Sequence, residues 1–318
     1  MVAASGCMNL QLLSEMDLFD AGEEEGVAGS GDSDGDTDGD SDGDTDGPPA
    51  TDADDSIPPM LITGACGAFE SMSEGVCVVE GTVSASFRFE THEPAIVTVS
   101  SSSSGSASVL TALWAVEHHA AAVLLDEGVA SSVTLSFEDV NGNADQVVLD
   151  VTATGGYPVA VTEILADPNG VEPDQEFVEV HNFGAGAVDL SGWMIDDNGD
   201  KDGDLLPAGT TLGAGSTGII VSPDFDPSAG DDPVPASSAT IIYLDSSIGT
   251  SGLKNSSAET IQLWDAAGVL VSEYLGEVGN PKEGKSAARL SAELPDGDEW
   301  AWGLDPLDPP TPGVAPTL

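Results

Sequence analysis

Positive charge is what this chain has least of. Its 318 residues hold six lysines and arginines against 57 aspartates and glutamates, a formal net charge of −51. Nucleic acid is excluded as a partner, because binding it requires cations that neutralise phosphates. Electrostatic docking on an anionic membrane surface is excluded for the same reason. No stretch approaches the ~18 uninterrupted apolar residues that a helix needs to cross a bilayer, and long helical periodicity is absent. Four histidines scattered along the chain are scant material for acid–base chemistry. The sequence has no H-E-x-x-H, no G-x-S-x-G, no phosphate-binding loop and no cysteine–histidine pair. The glycine-rich run "FGAGAVDLSG" lies between strand patterns rather than at the start of a helix, so it is no phosphate cradle. The expectation is a protein without catalytic activity.

Cysteine is scarce, and its count is odd: Cys7, Cys66 and Cys77. An exported protein with an odd count needs a role for the unpaired one. Cys66 and Cys77 flank a turn-rich segment and are expected to close a short loop as a disulfide in an oxidising compartment. Cys7 ends the run "VAASGC", where Ala4, Ser5 and Gly6 stand just before it. This run resembles the lipobox of bacterial lipoprotein signal peptides, although leucine is usual where Ala4 stands. The basic and apolar regions that precede such a box do not fit into six residues, so the resemblance implies a true start upstream of Met1. It also implies lipid on Cys7; a diacylglycerol with further acylation of the amine gives the two or more chains that stable anchoring requires. The alternative is a free cysteine in a disordered tail.

Residues 8–56 contain 17 acids, no base and little apolar material beyond "MNLQLLSEMDLF". Such a segment cannot bury a core and is expected to be a disordered Asp/Gly-rich linker. Within it "DSDGDTDG" occurs in tandem at 32–39 and 40–47. Asp34, Asp36 and Asp38 with Gly39, and Asp38, Asp40 and Asp42 with Gly43, match the first half of an EF-hand-type calcium loop. The closing carboxylate is missing from both, since Thr45 and Pro49 stand in its place. Weak calcium condensation is one reading and a spacer is the other. Like charges extend the chain while Gly and Ser keep it flexible, giving a reach of ~40 Å as a random coil and ~160 Å fully stretched.

After "PP" at 58–59 the composition changes to apolar alternation. Val83, Ala85, Phe87 and Phe89 share one strand face, Val133, Leu135 and Phe137 another, and Val147, Leu149 and Val151 a third. The last two are joined by "DVNGN", whose Asn-Gly centre is a strong hairpin signal. Residues 57–155 are therefore expected to form a β-sandwich, and with their turn at Asp139–Asn143 they resemble bacterial immunoglobulin-like or fibronectin type III modules. The adjacent His118 and His119 would point to opposite faces of a strand and so cannot readily serve one metal.

From 156 to 318 the motifs become specific. A strand at Val159–Ile164, then "EFVEVHN" at Glu176–Asn182, then "VDLSGW" at Val188–Trp193 come in that order. They are followed by "LPAGTTLGAGSTGIIV", "LKNSSAETIQLWDAAGVLVSEYL", "GKSAARLS", Trp300 with Trp302, and "PTPGVA". This succession resembles the bacterial lamin tail domain family and implies an immunoglobulin-like β-sandwich. Alternation puts Val178 and Val180 on one face of their strand, with Glu179 and His181 on the other. Ile261 and Leu263 are expected opposite Val269 and Val271 across the turn Asp265–Gly268. Glu163, Glu176 and Glu179 are placed near one sheet edge, as structural acids or as a cation site. In "DDNGDKDGD", Asn198, Asp200 and Asp202 with Gly203 match half an EF-hand loop, and Asp204 follows. This tethered loop is the stronger candidate for calcium, its alternative being an ordinary exposed turn.

The whole reads as an all-β chain with two immunoglobulin-like sandwiches behind an acidic linker and a lipobox remnant at 1–7. Two functions from different classes follow. One is a non-enzymatic lipoprotein of the cell surface or outer membrane of a Gram-negative bacterium, anchored by lipid at Cys7 and binding a protein or glycan partner. The other is a secreted calcium-dependent adhesin, or the accessory part of an extracellular hydrolase. No cofactor other than calcium is implied.

Overall fold

Alternating apolar residues broken by glycine-bearing turns give nineteen strands among the described residues, in two β-rich lobes. The computed structural model describes residues 56–318, apart from 67–69, 72–75, 104, 112–113, 123, 199–200, 250, 299, 304–305, 308 and 317–318. Cys7, the acidic run with Asp34, Asp36, Asp38, Asp40 and Asp42, and Asp200 lie outside the described residues.

The first lobe contains β1 (Leu61–Cys66), β2 (Glu70–Ser71), β3 (Val76–Glu80), β4 (Ala85–Ser101), β5 (Ala107–Val109), β6 (Ala115–Ala122), β7 (Ser131–Glu138) and β8 (Ala144–Thr154). They are ordered β2-β1-β4-β7-β8-β3, with β6 on β4 and β5 on β6. The 17-residue β4 serves both halves: Ala85–Glu90 pairs with β6, and Ile96–Ser101 pairs with β7. Side chains from both halves thus share one core, with Phe87, Phe89, Phe137, Leu135, Leu149 and Val151 buried in it. Of the alternating positions read from the sequence, Ala85, Phe87, Phe89, Val133, Leu135, Phe137, Leu149 and Val151 lie in this core and Val147 packs against it, whereas Val83 precedes β4 and stays outside it. At the hairpin between β7 and β8, Asp139 Oδ1 accepts from the backbone of Asn141 and Asn143, each at 2.8 Å, and Gly142 takes φ +85°.

The second lobe contains β9 (Val159–Leu165), β10 (Phe177–Asn182), β11 (Val188–Asp189), β12 (Met194–Asp196), β13 (Asp204–Leu205), β14 (Thr211–Leu212), β15 (Thr217–Val221), β16 (Thr240–Tyr243), β17 (Ile261–Trp264), β18 (Leu270–Tyr274) and β19 (Ala287–Ala288). One sheet runs β16-β15-β10-β9-β19, a second β13-β12-β17-β18, and β11 pairs with β14. Val178, Val180, Trp193, Ile195, Leu263 and Trp302 pack in the core between them.

Two details differ from the sequence pattern. β10 is buried at all six positions, Glu179 and His181 included, because its second face is covered as well as its core face. In the hairpin of β17 and β18, Ile261 pairs with Tyr274 and Leu263 with Ser272, with a register shift between Leu263 and Trp264. Asp265 causes this: its Oδ1 accepts from the backbone of Ala267 and Val269, so Val269 stays in the turn and the strand begins one residue later.

Candidate functional site

The second face of the β9–β10 pair carries two carboxylates side by side. Glu163 and Glu179 are directly opposed across the ladder and are 2% and 0% exposed. Neither is left without donors. Glu179 Oε1 accepts from Thr162 Oγ1 at 2.7 Å, and its Oε2 accepts from the backbone of Gly313 at 2.6 Å. Glu163 Oε1 accepts from Ser286 Oγ at 2.5 Å and from the backbone of Thr311 at 2.8 Å. The C-terminal "PTPG" segment is thereby strapped over the strand pair. Burial raises the pKa of Glu163 against these bonds, and it pushes Glu179 up to about 8, with the charge of Glu163 adding to the shift. Glu176, one strand end away, accepts from Leu253 N at 2.7 Å and is pushed to about 8 by burial, with Glu172, Glu259 and Asp167 adding to it.

The loop 196–204 is organised by acids of its own. Asp196, 1% exposed, accepts from the backbone of Asn198 at 3.0 Å and of Lys201 at 2.7 Å. Lys201 takes φ +67° and lays its ammonium 3.8 Å from the centre of the Trp264 ring. Asp204 turns to the opposite loop, where Ser246 Oγ donates to its Oδ1 at 2.6 Å and Gly249 N to its Oδ2 at 2.8 Å. Asn198 and Asp202 are exposed. The described residues include no group of three or more His, Cys, Asp or Glu side chains placed to hold a metal ion.

Cys66 and Cys77 are joined, with their Cα atoms 6.1 Å apart, and the bond ties the end of β1 to the edge strand β3. His118 and His119 do diverge. His118 meets Thr91 Oγ1 at 3.0 Å and stacks on Phe89, while His119 leaves the first lobe and meets Asp298 Oδ2 at 2.7 Å. Asp298 is also 3.8 Å from Arg88 and accepts from the backbone of Trp300. Burial raises its pKa, but the bonds from His119 and Trp300 outweigh burial and leave it below the usual carboxylate range.

Sequence reasoning missed this junction, and it missed Arg289. That guanidinium is 3% exposed, pairs with Asp296, and donates to the carbonyls of Ser291, Leu294 and Val161. The available signal was compositional: the chain has two arginines, and both reach the turn Asp296–Asp298. Behind this turn lies a cavity of about 340 Å³ between the lobes, walled by Glu80, Thr82, Ser84, Tyr157 and Phe183 and floored by Arg289 and Asp296.

The succession of strands and the buried Trp193 can be compared with known proteins. Residues 152–275 match the family model described as Lamin Tail Domain. No curated protein matches. Among solved structures, domains 5-6 of the S-layer protein SbsC are similar at 16% identity, covering 68% of this chain and 96% of that one, with a TM-score of 0.25. The stretch 152–275, which runs from the end of β8 through the β9–β10 pair and the buried Trp193 to the end of β18, is thus similar to a lamin tail domain.

Proposed function

We propose that this protein is a non-enzymatic surface module, in which a lamin tail domain and a second β lobe present a binding or structural face on an acidic stalk. The observation that carries this reading is that the buried ionisable groups are bonded within the framework. Glu163 and Glu179 hold the C-terminal segment, and Asp298 holds His119. Groups so engaged position structure rather than substrate. The lamin tail match adds a domain but no activity, since a fold hosts many functions.

In this reading Cys7 carries lipid, residues 8–56 act as the spacer, and the location is the cell envelope, with the outer surface of a Gram-negative bacterium as the best fit. The partner is a protein or a glycan. Calcium is not needed: Asp196 and Asp204 already accept bonds that hold their loops. Metabolic labelling with an alkynyl fatty acid, followed by mass spectrometry of the N-terminal peptide, tests the anchor. Label on Cys7 that is lost in Cys7→Ser is the expected result. An unmodified Cys7 in cell-derived protein would sink the anchor, and phosphatase, nuclease or esterase turnover that follows the purified protein would sink the non-enzymatic reading.

A further inference from the structure

We propose that the cavity between the lobes binds a neutral hexose unit of a glycan; the inference rests on the binding-module reading above and narrows its partner. At about 340 Å³ the cavity has the size of small-molecule sites, which occur preferentially at junctions of this kind. Its floor is rigid. Arg289 pairs with Asp296, Ser272 Oγ donates to Asp296 Oδ1 at 2.9 Å, the backbone of Glu273 donates to Oδ2 at 3.0 Å, and Val161 N donates to Ser272 Oγ at 3.0 Å. The two floor charges cancel, and Glu80 adds a negative charge at the exposed rim. An anion is repelled there, and a cation meets a single carboxylate.

The walls match a ring with one apolar face and a hydroxylated edge. Tyr157 is 39% exposed, its ring held edge-on by Trp193 with centroids 4.8 Å apart, and Phe183 is half-buried nearby. Aromatic faces of this kind take the C–H face of a sugar, while Glu80 and Thr82 offer acceptors to its hydroxyls. Ser84 supplies the independent observation. It is 1% exposed, lines the cavity, and its Oγ has no hydrogen-bond partner. A buried hydroxyl left unpaired is costly, and no bond has to break for it to turn toward a ligand.

Saturation-transfer NMR on the full chain with glucose, galactose and N-acetylglucosamine tests the proposal. Oligosaccharides ending in the same sugars form a second arm, which distinguishes a free sugar from a glycan terminus. Transfer to at least one sugar is expected, about tenfold weaker binding in Ser84→Ala, and a similar loss in Glu80→Ala. Ser84→Ala removes a hydroxyl that holds no bond, so its melting temperature should be unchanged or higher. If that variant unfolds, the exposed Glu80 decides the matter instead. Absence of transfer from every sugar, or transfer equal in wild type and both variants, overturns the site. That failure would leave lipidation of Cys7 and the absence of turnover as they stand, so the two readings fail separately.

Discussion

Glu163 and Glu179 face each other on neighbouring strands, both cut off from water. Two ionised carboxylates so placed repel, and burial has already pushed Glu179 to about 8. A raised acid pKa means that the folded state holds its proton longer than the unfolded chain. The associated stability is complete below the ordinary glutamate value and is lost as pH rises toward 8. Thermal melts between pH 5 and 9 should therefore show the wild type weakening through that window, with Glu179→Gln weakening less. Self-repulsion of a chain carrying −51 acts in the same direction in both proteins, so the difference between them is the diagnostic quantity. The acids themselves were legible, since "TEIL" and "EFVEV" put them on strands. Their burial was not, because alternation implies that one face is wet, and what covers that face comes from Ser286, Thr311 and Gly313, more than a hundred residues away.

Among the elements, the loop between β12 and β13 shows how a motif can be visible while its purpose is not. Asn, Asp and Gly at alternate positions suggest cation ligands, yet the same residue types also build turns. Here Gly203 is present because of contact. A Cβ on it would lie 2.1 Å from the carbonyl oxygen of Ile195 and 2.7 Å from Cα of Asp196. Both neighbours are backbone, so Gly203→Ala should cost about 3 kcal/mol in a urea titration, whereas Gly209→Ala meets only its φ of +85° with open space around it and should cost less. Edge strand β3 offers a second case. Among the described residues it pairs with β8 alone, in parallel, and its Cys77 is tied to Cys66 across 11 residues. Reduction of a loop of this size should cost roughly 3 kcal/mol, read as a lower melting temperature with reductant that Cys66→Ala/Cys77→Ala reproduces without it. The pairing was foreseeable from spacing; the strand it secures was not, because a parallel edge strand with Val76 and Val78 exposed lacks a turn signal to its partner.

For the molecule as a whole, residues 47–318 behave as one compact unit, and the contacts between lobes explain why. Ala121 of β6 sits in the core of the second lobe, and His119 beside it is bonded to Asp298 across a sequence separation of 179 residues. A pairing at that distance leaves no local trace in the sequence, which accounts for two lobes being readable and their seam not. Asp298→Ala takes from the buried His119 its bond to Asp298 and should cost about 2 kcal/mol. Calorimetry should then resolve one transition in the wild type and two in the variant.

The strap over the β9–β10 pair bears on where the lamin tail domain ends as a folding unit. Family similarity stops at residue 275, yet Thr311 and Gly313 supply donors to two carboxylates of the central strands. A fragment cut at the limit of similarity would strip Glu163 of its donors Ser286 and Thr311 and leave Glu179 only the bond from Thr162, and Trp302 would be gone from the core. Residues 152–275 expressed alone should stay unfolded by circular dichroism, while 152–316 should give a sheet spectrum with a cooperative melt. That outcome would give the matched stretch and the folding unit different borders, with the last 40 or so residues belonging to the second.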